Sequence, residues 1–341
     1  MTNKYYENIK EFINSNLSFL IFLILLLIAF RIDTGYSIYK PGGSINITNR
    51  IHSETREAGE GTYNMAYVGM IKGKLPFYLI AKILPSWDLV KNTDLTYNET
   101  ESIDDLLKRD KLYYEESMSA AKYLAYEKSN TPHEIVKVHN YIAYVDEKCD
   151  GDIKIGDELI SYDGTKYIDI PTLKEYIGTK EVGDKISLVI KRGNKETKTP
   201  VTIFAIDDVL LIGLMSTTIY EIESETKITI DSKAGEGGPS GGLMLSLAMY
   251  DLLVDEDLTK GNKIVGTGTI SLDGTVGEIG GVTYKLAGAV KDKADIFIVP
   301  NDNYKEASEY AKKHKYDIII KGVSSFEDTL EVLKQMEEKN E

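Results

Sequence analysis

The chain has 341 residues, 42% of them hydrophobic, which is long enough for two or three domains with their own cores. Its formal net charge of −14 argues against a nucleic-acid partner, because nonspecific binding to nucleic acid requires a basic surface. A single cysteine excludes an internal disulfide, and the four histidines show no paired metal-ligand spacing. We therefore predict no metal site and no cofactor.

The first feature along the chain is an apolar run from Leu17 to Phe30. With its flanks it reaches about 17 to 20 residues, the length of a membrane-spanning helix. A cleaved signal peptide is the alternative, but the small residues of a cleavage site do not follow the run. We predict a short N-terminal tail at residues 1–16 and a transmembrane signal anchor at residues 17–33. Positive charges on the two flanks do not fix its orientation.

Residues 34–130 alternate between strand-like and helix-like pieces. A helix is predicted from Leu106 to Lys128, with Met118, Leu124 and neighbouring alanines at the spacing of a core-facing stripe. We expect this segment to pack on the C-terminal domain and its strands to complete the sheet of that domain.

Residues 131–202 form a small β-rich module with strands predicted at 135–138, 159–162 and 185–191. A helix is predicted over residues 171–177, and Gly-Asp and Asp-Gly pairs mark the turns. This order, with the phrases IKIGDELISYDG and VGDKISLVIKRGNK, resembles a bacterial PDZ domain. Such a domain holds an extended peptide as an added strand. A spacer that binds no peptide is the alternative.

Residues 203–341 follow an α/β pattern to the end of the chain. A capping box at Ser325 and Asp328 marks the start of the last helix. Strands are predicted at 227–230, 264–270, 296–299 and 317–320, and helices at 283–293, 304–314 and 326–336.

Within this domain, residues 231–253 read DSKAGEGGPSGGLMLSLAMYDLL, with Ser240 between Pro239 and Gly241. Apolar residues after Gly242 recur at helical spacing, which predicts a helix with one face in a core. The Ser240 hydroxyl is then expected near a helix amino terminus, where N–H groups stabilise an oxyanion. A flexible glycine turn before a buried helix remains equally open from these residues. A P-loop is disfavoured because the Lys-Ser/Thr pair is missing.

The second glycine-rich motif, GTGTISLDGTVGEIGGVTYKLAGA, precedes a helix that carries Lys285. A lysine acts as a base near neutrality only if its pKa falls from about 10.4 by roughly three, which burial can achieve. Thr267 or Thr269 on the preceding strand is expected to orient the amine. A lysine that extends along the surface into solvent is the alternative. The flanking residues expected to form a dry pocket are Val282, Leu286 and Ala287.

The pair GEGGPSGG and TGTISLDGTVGEIGGVTYK resembles the proteolytic domain of Lon-type peptidases, which carry (D/G)-G-P-S-(A/G)-G and G-G-x-x-x-K and use a Ser-Lys dyad. The resemblance implies Ser240 as nucleophile, Lys285 as general base and Thr267 as the hydrogen-bond partner of the lysine. Residues flanking the nucleophile are implied as supporting residues: Gly238, Pro239 and Gly241. The implied fold is an α/β (α+β) Lon-type protease domain after a PDZ-like domain and a transmembrane helix.

Lon proteases also carry an ATPase module, but this sequence has no Walker motif. With its KPGG and GTYNMAYVGM segments, the chain resembles the membrane-anchored, PDZ-containing Lon-like proteases of Gram-positive bacteria. This resemblance implies an ATP-independent endopeptidase, held in the cell membrane by a single span with its catalytic domain extracytoplasmic. Its substrates would be peptides or small membrane proteins, and the protease domain is a possible site of homo-oligomerisation.

Two other functions stay open at this stage. One is a catalytically silent, membrane-anchored PDZ adaptor, although the intact Ser, Lys and Thr set argues against it. The other is a trypsin-like enzyme that would depend on His133 or His139 and not on Lys285.

Overall fold

The computed structural model describes residues 2–54, 59–98 and 101–339. The chain divides into two compact units. The smaller contains residues Met1–Pro41 and Val68–Tyr97, and the larger contains residues Gly42–Tyr67 and Asn98–Glu341. The long strands at residues 33–46 and 62–74 each have one part in either unit.

The α-helices of the described residues are α1 Thr2–Ser15, α2 Leu17–Ala29, α3 Leu75–Ala81, α4 Ile103–Lys128, α5 Ile170–Ile177, α6 Gly242–Asp251, α7 Val282–Lys291, α8 Asn301–His314 and α9 Phe326–Lys334. The β-strands are β1 Asp33–Asn46, β2 Ile51–Ser53, β3 Thr62–Lys74, β4 Asp88–Lys91, β5 Glu134–Val145, β6 Glu158–Tyr162, β7 Thr165–Lys166, β8 Lys185–Arg192, β9 Lys195–Thr202, β10 Phe204–Ile206, β11 Val209–Leu211, β12 Leu214–Glu223, β13 Ile228–Ile230, β14 Lys263–Gly266, β15 Thr269–Ile270, β16 Val276–Gly277, β17 Ile296–Pro300 and β18 Ile319–Val323.

The apolar N-terminal run forms α2, which has 13 residues. At 1.5 Å per residue it is about 20 Å long, less than the bilayer core of about 30 Å. In the described part of the chain no single helix is long and apolar enough to cross a membrane. Tyr5–Ser15 and Leu17–Ala29 pass that test only together, and they are bent by 72°. The structure therefore does not show the single spanning helix predicted at residues 17–33, because the helix ends at Ala29 and β1 begins at Asp33.

In the larger unit a parallel sheet runs in the order β18-β17-β14-β3. Alternate residues of its strands point to opposite faces, as the two-residue period of a strand requires. Ile264 and Ile298 pack in an apolar cluster with α4 and α6, whereas Val265 and Phe297 pack in a second cluster with α7 and α8. The mixed α/β class is confirmed, and the first part of β3 completes the sheet next to β14, as expected.

The helix after Ser240 differs from its prediction. Apolar spacing predicts one buried face, but nearly every residue of α6 is buried, including the polar Ser246 and Asp251. The reason is that α4 packs on one side of α6 while β14 and β15 contact another. A helix that is buried all round has lost the polar face on which a periodicity argument depends.

The β-rich module forms an antiparallel sheet in the order β12-β5-β6-β8-β9. Its core contains Ile142, Leu159 and Leu173 and also Ile203 and Ile212. β12 pairs along its length with β5, although it begins at Leu214. The sheet therefore includes a strand from beyond the predicted boundary at residue 202. The domain limits themselves remain predictions.

Candidate active site

Ser240 lies in a single 3-10 turn, Pro239–Gly241, that leads directly into α6. The serine is half-buried, and its position before the helix is the one predicted. Gly238 begins the turn with φ +84° and ψ 151°, a conformation essentially restricted to glycine. Gly241 has no room for a side chain, because a Cβ there would clash with the Met65 sulfur. The glycines therefore fix the backbone on both sides of the serine.

Helix α4 holds the serine loop by two hydrogen bonds. The Gly238 N–H donates to the Asp110 carbonyl oxygen at 2.7 Å. The Ser117 hydroxyl donates to the Pro239 carbonyl oxygen at 2.9 Å. Both partners lie more than a hundred residues from the loop along the chain. Helix α4, for which the sequence predicted only a packing role, therefore positions the candidate nucleophile.

Glu236 secures the start of the same loop. It forms an ion pair with Arg50, accepts from the Lys233 N–H at 3.0 Å and accepts from the Tyr114 hydroxyl at 3.2 Å. Burial acts to raise the pKa of Glu236, but these hydrogen bonds and the Arg50 charge outweigh it and lower the pKa. Burial and the adjacent Glu236 carboxylate raise the pKa of Tyr114. Glu236 is therefore held as an anion.

Lys285 lies near the start of α7, and its side chain is 4% exposed. Burial lowers its pKa to about 7, because a charged ammonium is disfavoured away from water. Val282 and Leu286 are fully buried, whereas Ala287 is only partly so. No ion pair to Lys285 is found among the described residues. The pKa lowering required for a base near neutrality is therefore present.

Thr267 connects the lysine to the serine main chain. Its hydroxyl accepts from the Lys285 Nζ at 3.1 Å and donates to the Ser240 carbonyl oxygen at 3.0 Å. The Gly268 N–H donates to the same carbonyl at 2.8 Å. A threonine hydroxyl has one proton, and here that proton is directed at Ser240. Thr267 can then only accept from Lys285, which leaves the lone pair of a neutral amine free to accept a proton.

The structure thus joins Ser240, Thr267 and Lys285 through Thr267. Thr269, the other candidate partner of the lysine, pairs with Gly277 in a short hairpin instead. His133 contacts the Thr131 carbonyl, and His139 contacts Glu158, and no described hydrogen bond joins a histidine to Ser240. A trypsin-like arrangement has no support here.

Sequence reasoning missed the groups on α4 that hold the loop. Asp110 acts through its main-chain carbonyl, which no side-chain pattern reveals. Ser117 had a weak signal, since a serine within the buried stripe of a helix requires a hydrogen-bond partner. In the described part of the chain no group of three or more histidine, cysteine, aspartate or glutamate residues is placed to hold a metal ion.

The β-rich module contains a cavity of about 190 Å³. It lies between α5, the β10–β11 hairpin and the first residues of β12, and most of its lining is apolar. Leu173 and Ile177 come from the helix, Phe204 and Leu210 from the hairpin, and Met215 from β12.

Residues 219–336 match the family described as Lon protease (S16) C-terminal proteolytic domain. This part of the chain is similar to the proteolytic domain of Lon proteases. Lon protease 2 of Borreliella burgdorferi is 24% identical over 212 residues, which are 59% of this chain and 25% of that protein. The Lon protease of Chlamydia pneumoniae is 33% identical over 95 residues, 28% of this chain and 11% of that protein. These matches support a serine peptidase.

The chain spans about a quarter or less of the length of these curated relatives. Among solved structures, the PDZ domain of the SdrC-like protein from Listeria innocua is 28% identical, with a TM-score of 0.21. The match covers 23% of this chain and 92% of that domain.

Proposed function

We propose that the protein is an ATP-independent, membrane-anchored serine endopeptidase in which Ser240 is the nucleophile and Lys285 the general base. The observation that carries the proposal is the hydrogen-bonded set of Lys285, Thr267 and the Ser240 main chain inside a Lon-type proteolytic domain. A nucleophilic hydroxyl requires a base whose pKa lies near the working pH, and buried Lys285 meets that condition.

In this mechanism the Ser240 Oγ attacks a peptide carbonyl carbon while its proton passes to the neutral Lys285 amine. The oxyanion is assigned to the N–H groups of Ser240 and Gly241, because the neighbouring Gly238 and Leu243 amides already donate to Asp110 and Gly268. Lys285 then protonates the leaving amine, and an ester to Ser240 remains. Water, deprotonated by Lys285, hydrolyses this acyl-enzyme and restores the serine.

The wider assignment depends on the sequence. The apolar run at residues 17–30 supports anchoring in a cell membrane, and the resemblance to membrane-anchored Lon-like proteases supports ATP independence. The resemblance to membrane-anchored Lon-like proteases of Gram-positive bacteria supports an extracytoplasmic catalytic domain. It also supports substrates that are peptides or small membrane proteins, and a homo-oligomer formed through the protease domain.

The PDZ-like module is assigned to substrate binding. An extended peptide bound at the module would offer one apolar side chain to the cavity between α5 and β12. The apolar lining of the cavity, with Asp146 and Lys174 as its charged members, supports a hydrophobic side chain there.

The decisive experiment compares the full chain with its Ser240→Ala variant in detergent, without nucleotide, on an unfolded protein substrate and a fluorogenic peptide library. We expect the wild type to cleave and the variant to lose the activity. In cells, membrane and secreted peptides that are cut when the wild type is expressed should remain uncut when only the Ser240→Ala variant is expressed. Full cleavage by Ser240→Ala would refute the mechanism, and cleavage only with ATP would refute the nucleotide-independent part.

A further inference from the structure

Asp110 on α4 lies directly against the loop that presents the serine. Its carbonyl oxygen accepts from Gly238 at 2.7 Å, and a Cβ built on Gly237 would lie 3.2 Å from the Asp110 Cβ. Gly238 is two residues from Ser240, so their Cα atoms are at most about 7 Å apart. The Asp110 Cβ therefore lies next to Gly237, three residues before the serine.

The carboxyl group of Asp110 has no assigned task within the protein. Among the described residues it takes part in no hydrogen bond or ion pair. The adjacent cation, Arg109, is engaged by Glu101, and these two side chains are only 4% and 3% exposed. Burial raises the pKa of Asp110, although the Arg109 charge opposes the rise. A half-buried carboxyl group without a hydrogen-bond or ion-pair partner among the described residues thus lies on the residue that contacts Gly237 and Gly238.

An unpaired carboxylate of this kind favours binding of a cation. Its desolvation has already occurred in the free protein, so a ligand cation gains attraction in a medium of lower dielectric than water. Lysine and arginine side chains are long enough to reach it from the residues that flank a scissile bond. A neutral side chain of similar length gains no such attraction.

We propose that Asp110 is a specificity residue that selects peptides with a lysine or arginine beside the scissile bond. The inference rests on the proposed peptidase function and names its substrate class. Asp110 contributes in two separable ways, since its carbonyl positions Gly238 whereas its carboxylate recognises the substrate.

The test uses pairs of fluorogenic peptides that differ only by lysine or glutamine at one position, scanned across the residues on both sides of the cleaved bond. For at least one position the wild type should prefer lysine by about tenfold to a hundredfold in kcat/KM, the range of a charge-assisted hydrogen bond. Asp110→Asn keeps the main-chain carbonyl and the side-chain shape. It should bring the ratio near one by raising KM for the lysine peptide.

Two further variants sharpen the result. Asp110→Lys should reverse the preference toward a glutamate peptide. Asp104→Asn removes an exposed carboxylate from the same helix and should keep the wild-type ratio. Thermal unfolding of each variant shows whether it is folded.

The inference is overturned if the wild type cleaves both peptides of every pair equally. It is also overturned if Asp110→Asn lowers both rates by the same factor, which would leave Asp110 with a positioning role only. In either case Ser240-dependent cleavage of the glutamine peptides would leave the proposed function intact. If no peptide is cleaved in a Ser240-dependent way, the proposed function fails and the inference fails with it.

Discussion

The loop around Ser240 is rich in glycine and is held by hydrogen bonds between α4 and the loop residues Gly238 and Pro239. Lys285, by contrast, lies on a regular helix among fully buried apolar side chains. The loop has backbone conformations that only glycine adopts readily, and the serine stays half-buried. The lysine needs no special backbone, because burial alone lowers its pKa. The position of Ser240 is therefore set by backbone geometry, whereas the pKa of Lys285 is set by its burial away from water. Substitutions in the serine loop and at the lysine should therefore impair activity in different ways.

Removing the amine should have the largest effect. Lys285→Met keeps a flexible apolar chain in the pocket but supplies no base, so kcat/KM should fall about 10³-fold, within the range of general base catalysis. The protein should remain folded, since the buried amine has no ion pair in the described part of the chain. Activity assays with a matched Lys291→Met variant, at the exposed end of the same helix, provide the comparison. Equal activities of the two variants would contradict a role of Lys285 as base.

The pH dependence of the wild type should report the solvation of the lysine. Lys285 accepts a proton only when neutral, so kcat/KM should fall about tenfold per pH unit below its pKa of about 7 and level off above it. The measurement is kcat/KM for a peptide without ionisable side chains from pH 5 to 9. If kcat/KM still rose about tenfold per pH unit at pH 9, as expected for an ordinary lysine pKa of about 10.4, the pocket would be open to water in solution.

A single added methyl group, in Gly238→Ala, should disturb the backbone geometry of the serine loop. Gly238→Ala places no atom within 4 Å of a neighbour but forces alanine into φ +84°. A strain of about 2 kcal/mol, released by movement of the loop, corresponds to about 30-fold in kcat. The pH at which activity levels off should not change, because the lysine pocket is untouched.

Gly164→Ala is the matched control for that change. Gly164 has φ +83° and open space where a Cβ would lie, but it belongs to a turn of the β-rich module. In urea unfolding, the Gly164→Ala variant should lose about as much stability as Gly238→Ala, but it should cleave a short peptide at the wild-type rate. If both variants lost activity equally, general destabilisation and not loop geometry would be the cause.

The hydrogen bond from α4 should give the smallest effect. Ser117→Ala leaves the Pro239 carbonyl without its donor at a cost of about 1 kcal/mol, which corresponds to about fivefold in kcat/KM. Ser119→Ala is the control on the same helix, since Ser119 bonds Glu116 and Tyr220 and not the loop. A larger loss with Ser119→Ala would show that α4 acts through packing and not through its bond to the loop.

The sequence by itself predicted the local elements and the candidate reacting residues. The capping box at Ser325 starts α9 as predicted, with the Asp328 N–H donating to the serine hydroxyl at 3.0 Å. The glycine motifs made Ser240 and Lys285 candidates but left a flexible turn and a surface lysine open, and the resemblance to Lon-type peptidases decided between these alternatives. Thr267 was one of two candidates, and the hydrogen bonds select it over Thr269.

Only the tertiary structure decided how these residues are held. The partners of the serine loop on α4 and the Met65 sulfur that excludes a side chain from Gly241 come from far along the chain. The full burial of α6 likewise follows from elements packed around it, and the sequence predicted one buried face only. Such contacts depend on which distant segments of the chain pack together, and the local periodicity of the sequence does not predict this packing. The contact of Asp110 with the loop is of the same kind, since only the folded chain brings α4 against Gly237 and Gly238.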